Sequence, residues 1–127
     1  MLATAYKVGG REVTITLRQG ISFSNGEPFN AEAAAANINR AVKLDIIEGL
    51  KSVESAEAVD EHTLRITLRE FDPSIIDSLC YTGGMMIAPA AMADPALDRN
   101  PIGTGPYVYD KQQSREGEVR VYVPNPT

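Results

Sequence analysis

Thr14–Arg40, TITLRQGISFSNGEPFNAEAAAANINR, is the passage that decides the fold. Val13, Ile15 and Leu17 alternate with Thr14, Thr16 and Arg18, the period-two pattern of a strand with one buried face. Gln19-Gly20 turns the chain, and Ile21 and Phe23 resume the apolar alternation. Ser24–Pro28 is a cluster of turn formers in which Asn25-Gly26 suits a positive backbone φ. Asn30 stands where a helix cap belongs, its side-chain oxygen free to accept an N–H of the first turn. Ala31–Lys43 is then predicted as the one long helix. Its run Ala33–Ala36 forms helix readily and is slim enough to lie close against a sheet. Ile38 and Val42 should face inward with Ala34, Ala35 and Ala41 beside them.

Working outward, Asp45–Leu50 reads as a short helical or irregular link. Val53–Val59 and His62–Arg69 form a predicted hairpin around Asp60-Glu61, with Leu64, Ile66 and Leu68 on its buried face. Asp72-Pro73-Ser74 opens a short helix through Leu79. Tyr81–Ala88 reads as a loop running into a short extended segment, Pro89–Ala93 as a helical turn, and Asp94–Asn100 as a polar connection. Tyr107–Lys111 and Val119–Val123 alternate again, joined by Gln112–Gly117. Strands and helices mix without regular alternation, which indicates an α+β fold with a largely antiparallel sheet, one main helix and short helical segments.

The 127 residues correspond to one domain, 1–127, and 43% hydrophobic content against 23% charge is ordinary for a globular chain. Seventeen acidic and twelve basic residues leave a net charge of −5, a poor surface for nucleic acid, whose phosphates must be neutralised by Lys and Arg. No apolar run is long enough to span a bilayer, and MLATAYKVGG lacks the basic and apolar regions of a secretory signal. The single cysteine, Cys80, can form no intrachain disulfide and says nothing of redox compartment.

Residue types that carry catalysis are sparse. His62, the only histidine, sits beside a predicted turn and is expected to be a solvated turn residue rather than a ligand or base. Cys80 is expected to pack as a small apolar group. No spacing suggests a nucleophile with its base, and too few Cys and His exist for a zinc site of the usual kind, so no catalytic residue, metal or cofactor is assigned. Arg18 and Arg69 follow strand patterns on outward faces and read as solvated charge. Gly103-Thr104-Gly105 is no phosphate loop: a third glycine and a Gly-Lys-Ser/Thr are missing, and Pro106 interrupts. It reads as a tight connection, the glycines permitting unusual φ/ψ and Pro106 setting the entry to a strand. Tyr81-Thr82-Gly83-Gly84-Met85 admits two readings. In one, the glycines let backbone amides approach a ligand while Tyr81 and Met85 offer adaptable contact area. In the other, plainer one, it is a turn whose methionines fill a core gap.

The passage LRQGISFSNGEPFNAE, followed about eighty residues later by PIGTGPY at Pro101–Tyr107, resembles the large extracytoplasmic solute-binding proteins of peptide, oligopeptide and nickel importers of the ATP-binding-cassette (ABC) class, family 5. Where that family usually has Asp-Val after Ala-Glu, this chain has Ala33-Ala34, which suits a helix equally. The resemblance runs from about Leu2 to Val123-Pro124-Asn125-Pro126. It implies the peripheral subdomain of the first lobe of a two-lobed binding-protein fold, a fragment of a longer chain with Met1 an introduced start.

Further expectations rest on that resemblance. The parent would be extracytoplasmic, periplasmic or lipid-anchored, and would trap a peptide or related small solute between its lobes for an ABC permease. This piece would be mainly scaffold and one cleft wall, not an enzyme. Gly103, Thr104, Gly105, Pro106 and Tyr107 would be structural, returning the chain to the main sheet of the lobe. Segments before an Ile-Ala-Pro stretch, here Ile87-Ala88-Pro89, lie near the cleft in several members, which favours Tyr81–Met85 as the solute-facing loop. Members that bind metal chelates tend to place arginine or tryptophan nearby, whereas Thr82, Gly83 and Met85 stand here, so a nickel assignment is weakened. Apolar surface around Met85–Ile87 would promote self-association of the isolated piece. The alternative from another class is a free-standing interaction module that pairs a partner strand with an exposed sheet edge.

Overall fold

The computed structural model describes residues 1–127. Four strands form one antiparallel sheet in the order β1-β2-β4-β3: β1 (Ala3–Gly9), β2 (Glu12–Leu17), β3 (Val53–Asp60) and β4 (Thr63–Leu68). Helix α1 (Ala31–Leu44) packs over β3 and β4, and a short helix α2 (Ile75–Cys80) follows the sheet. A separate two-stranded sheet, β5 (Tyr107–Arg115) with β6 (Val119–Pro124), ends the chain. This is the expected α+β architecture.

The sheet's two faces follow from its alternating sequence. Val13, Ile15 and Leu17 of β2 and Leu64, Ile66 and Leu68 of β4 are buried, as are Val53 and Ala56 of β3. Their neighbours turn outward, where Arg65 bridges carboxylates of two flanking strands, Glu57 at 2.6 Å and Glu12 at 3.4 Å. From the helix side Ala31, Ala34, Ala35, Ile38 and Ala41 press onto the same core. Alanine at these positions permits close helix–sheet approach, and the larger volume comes from the sheet. Val42 is only half-buried.

Both ends of α1 are closed locally. The Ala33 N–H donates to Asn30 Oδ1 at 2.9 Å, and Asp45 adopts the left-handed conformation (φ 50°) while its N–H donates to the Val42 carbonyl. A third tie comes from the sheet: the Ala31 N–H donates to the carbonyl of Glu61 in the β3–β4 turn, 2.9 Å. In residues 21–29 the turn expected over Ser24–Pro28 is present, while the apolar alternation at Ile21 and Phe23 does not extend into a strand. These residues fold into a tight loop closed by a single bridge between Ser22 and Pro28, with Gly26 (φ 89°) at its tip. Phe23 and Phe29 leave that loop inward, meeting edge to face with ring centres 5.9 Å apart. Their burial holds a loop that has no ladder to hold it.

Strand β1 has no strong sequence pattern; the Gly10-Arg11 turn, with Gly10 at φ 61°, brings it back on β2. Tyr6 and Val8 pair with Ile15 and Val13, so they lie on the core side of the sheet, yet both remain exposed because α1 does not reach that edge. Strand β5 runs four residues past the expected Lys111, through a bulge at which Asp110 pairs with Val121 and Arg115 with Val119. The Asp110 carboxylate gathers the N–H groups of Gln112 and Gln113 inside that bulge.

Candidate functional site

The segment Tyr81–Met85 is held from below by a chain of local contacts. The Asp72 carboxylate accepts the hydroxyls of Ser52 and Ser74, each at 2.6 Å, and the Ser74 N–H at 2.9 Å, which ties the start of α2 to the residue before β3. Those bonds, Ser52 first, hold the Asp72 carboxyl below its ordinary range. Ile75 anchors α2 in the core. After Cys80 the chain makes a single 3₁₀ turn, Thr82–Gly84, with the Gly84 N–H donating to the Tyr81 carbonyl and the Met85 N–H to that of Thr82.

The glycines of this turn face the protein's own backbone. A Cβ on Gly83 would stand 2.8 Å from the Ser78 carbonyl oxygen and 3.1 Å from Leu50 Cδ2, and one on Gly84 would overlap the Leu79 carbonyl oxygen. Gly49, opposite, is equally tight, its Cβ position 2.6 Å from Ser78 Oγ. Three small residues thus let the turn, α2 and the Glu48–Leu50 3₁₀ turn stack in contact. Tyr81 (75% exposed) and Met85 (70% exposed) stand out from this base, and Thr82 is exposed between them. Met86 and Ile87 pack on the core, so only Met85 of the expected apolar patch Met85–Ile87 is open.

The structure brings this segment beside the return segment. The Ala88 N–H donates to the Ile102 carbonyl at 3.0 Å, and the Ser24 N–H to that of Gly103 at 2.9 Å, so SFSNG and PIGTGPY touch directly. Neither Gly103 nor Gly105 has a positive φ, contrary to expectation, and a Cβ on Gly105 would meet nothing within 4 Å. The segment is shaped instead by its carbonyls: Gly105 and Pro106 accept the side chain and the N–H of Asn125 at 2.9 and 2.8 Å, closing the base of the β5–β6 hairpin. Tyr107 is exposed and opens β5, which pairs with β6 alone and not with the four-stranded sheet. Thr104 is half-buried within the same connection.

Three other expectations are corrected. Cys80 is exposed at the end of α2, because the core-facing side of that short helix is carried by Ile75, Ile76 and Leu79 and its final residue turns away from it. The His62 ring is largely covered, with Nδ1 buried and unpartnered and Nε2 3.9 Å from Glu61. It lies in the turn as expected, but that turn folds down onto the ends of β2 and α1: the Leu17 N–H donates to its carbonyl at 2.8 Å. Arg69 is not wholly outward either, since its Nε donates to the Val53 carbonyl at 3.4 Å.

Sequence reasoning missed Asn37 and Asn39. Each carboxamide grips one residue's backbone on both sides, Asn37 that of Ile87 and Asn39 that of Ala56. The signal was available: two asparagines, poor helix-interior residues, in an alanine-rich helix. Elsewhere, an open groove of about 540 Å³ lies between residues 96–101 and the β5–β6 hairpin, lined by Tyr109, Tyr122, Lys111, Arg120 and the Arg99–Glu116 ion pair. No group of three His, Cys, Asp or Glu side chains is close enough to hold a metal, and no helix is long and apolar enough to cross a membrane.

Comparison with known proteins agrees with this architecture. The glutathione-binding protein GsiB of Escherichia coli O1:K1 is 36% identical over 118 residues, covering 87% of this chain and 23% of its own length. NikA from Brucella suis, solved in complex with Fe(III)-EDTA, superposes with a TM-score of 0.79 at 28% identity over 99% of this chain and 27% of that one. NikZ from Campylobacter jejuni, in complex with Ni(L-His), superposes with a TM-score of 0.87 over 98% of this chain and 27% of that one; at 24% identity this likeness shows the fold alone. The chain thus spans about a quarter of the length of these proteins. The sequence model of bacterial extracellular solute-binding proteins, family 5, middle region, matches residues 1–127 throughout, and the chain belongs to that family.

Proposed function

We propose that the chain forms one wall of the solute cleft in a binding protein that captures small peptides, of the size and polarity of glutathione, for an ABC importer. The observation that carries this reading is the 36% identity with a glutathione-binding protein over most of the chain. The surface supports it: Tyr81, Thr82 and Met85 stand exposed and without charge on a base packed by three glycines. Such a wall offers stacking and polarizable contact to a peptide, while charged groups for its termini come from elsewhere in the cleft. Residues 1–127 act as one unit of a longer polypeptide held outside the cytoplasm, and Gly103–Tyr107 serve as a structural connection that returns the chain toward the main sheet of the lobe. A protein-interaction module gains no support from the comparisons, and the family is one of binding proteins rather than enzymes.

The test is native mass spectrometry of the longest natural polypeptide that contains this sequence, gently purified. Bound mass that fragments as peptide supports the reading. Bound nickel chelate, or an opine or sugar acid, would replace the solute class and leave the receptor role standing. A polypeptide that binds no small solute at all would remove both.

A further inference from the structure

Asn37 lies on the inward face of α1, 8% exposed, among alanines. Asparagine is a poor choice there, because its side chain competes for backbone groups and a buried amide is costly unless paired. It is fully employed. Nδ2 donates to the Ala33 carbonyl at 2.9 Å and to the Ile87 carbonyl at 2.8 Å, and Oδ1 accepts the Ile87 N–H at 2.8 Å. The carboxamide therefore pairs with Ile87 as a neighbouring strand would, through both polar groups of one residue. Asn39 makes the matching pair with Ala56 of β3, both bonds 2.8 Å. One helix thus holds the sheet with one carboxamide and the segment after the 3₁₀ turn with another. Beyond Ile87, the Ala88 N–H is held by Ile102 and the Ala90 N–H by the Glu27 carboxylate at 3.2 Å. Asn37 is the polar tie between α1 and the exposed turn.

We infer that Asn37 is a positioning residue for solute recognition: by gripping Ile87 it sets where Tyr81, Thr82 and Met85 present their side chains, without touching the solute. This rests on the reading of Tyr81–Met85 as a cleft wall.

Asn37→Asp separates the possibilities. A protonated carboxyl carries one donor and one acceptor where the carboxamide had them, so it rebuilds both bonds to Ile87. The ionised form keeps only the acceptor and sets an oxygen against the Ile87 carbonyl. Burial raises the ionisation range of the introduced carboxyl, which makes the protonated form reachable. Amide exchange, expressed as protection relative to the unstructured peptide, is measured at pH 7 and near pH 4.5. At pH 7 both Asn37→Asp and Asn37→Ala lose about ten-fold or more of the protection at Ile87, and residues 82–86 loosen with it. At the lower pH the protection returns in Asn37→Asp alone. The unmodified chain, in which the Ala90 N–H is held by the Glu27 carboxylate, is followed alongside as the control for any pH effect not due to residue 37. Asn39→Ala loosens Ala56 and leaves Ile87 protected. In the longest natural polypeptide carrying these substitutions, affinity for glutathione tracks the protection of Ile87. Unchanged protection in Asn37→Ala, or no recovery in Asn37→Asp, overturns the role of Asn37 while the cleft-wall reading stands. Protection lost and recovered with affinity for glutathione unmoved overturns the cleft wall itself.

Discussion

Replacing Gly84 by alanine places a methyl group on the Leu79 carbonyl oxygen. That oxygen belongs to the backbone of α2, so no side-chain rotation relieves the overlap and the 3₁₀ turn must swing away. Overpacking of this kind costs about 1–3 kcal/mol. The swing also breaks the bonds from the Gly84 and Met85 N–H groups to Tyr81 and Thr82, about 1 kcal/mol each. The sum, about 3–5 kcal/mol, is a large share of the roughly 5–15 kcal/mol that domains possess. In urea unfolding it appears as a midpoint lowered by about 1–5 M for m-values of about 1–3 kcal/mol/M. Gly105→Ala is the control. Its Cβ enters open space and its φ is not positive, so the change stays within about 0.5 kcal/mol. Equal midpoints for the two variants would refute the claim that the glycines of the exposed turn exist to pack it. They would revive the view that these glycines keep the backbone open to a ligand.

Other outcomes follow from the same structure. Ile66 is fully buried on β4, one of the two interior strands, and Ile66→Ala should cost about 3–4 kcal/mol in denaturant unfolding. Asn30→Ala removes the cap on Ala33 and should cost about 1 kcal/mol, visible as earlier thermal loss of the helical circular dichroism. Because the Asp72 carboxyl is lowered in the fold, its bonds stabilise above the unfolded carboxylate value of about 4 and are lost as pH falls through the lower folded value. Asp72→Asn should therefore flatten the acid limb of stability between about pH 5 and pH 2, and an unchanged slope would remove Asp72 from the account. Residues 1–127 alone should show negligible affinity for glutathione by calorimetry and should self-associate in analytical ultracentrifugation. The contact surface would be Tyr6 and Val8 on the open edge of the sheet, with Tyr107, Val119 and Tyr122 on the hairpin. A monomer at high concentration would exclude that association.

Much of this molecule was legible before it was seen folded. Strict alternation at Val13–Leu17 and Leu64–Leu68 marks buried strand faces because a pleat sends successive side chains to opposite sides. Asn30 followed by an alanine run marks a helix start because the cap and the first turn are neighbours in sequence. What such local rules cannot carry is any partner supplied from far along the chain. Strand β1 exists because β2 offers it an edge, and its own residues show no buried pattern. Gly83 and Gly84 read either as a ligand-approach loop or as a plain turn, and only the packing of α2 against Leu50 shows them to be spacers. Asn37 and Ile87 are fifty positions apart, so no periodicity could join them, yet their pair of bonds decides where the exposed turn stands. The residues themselves determined the elements and, through two separated motifs, the family. Tertiary contact alone decided which glycines pack, which polar side chains are spent on the fold, and which few are left facing outward.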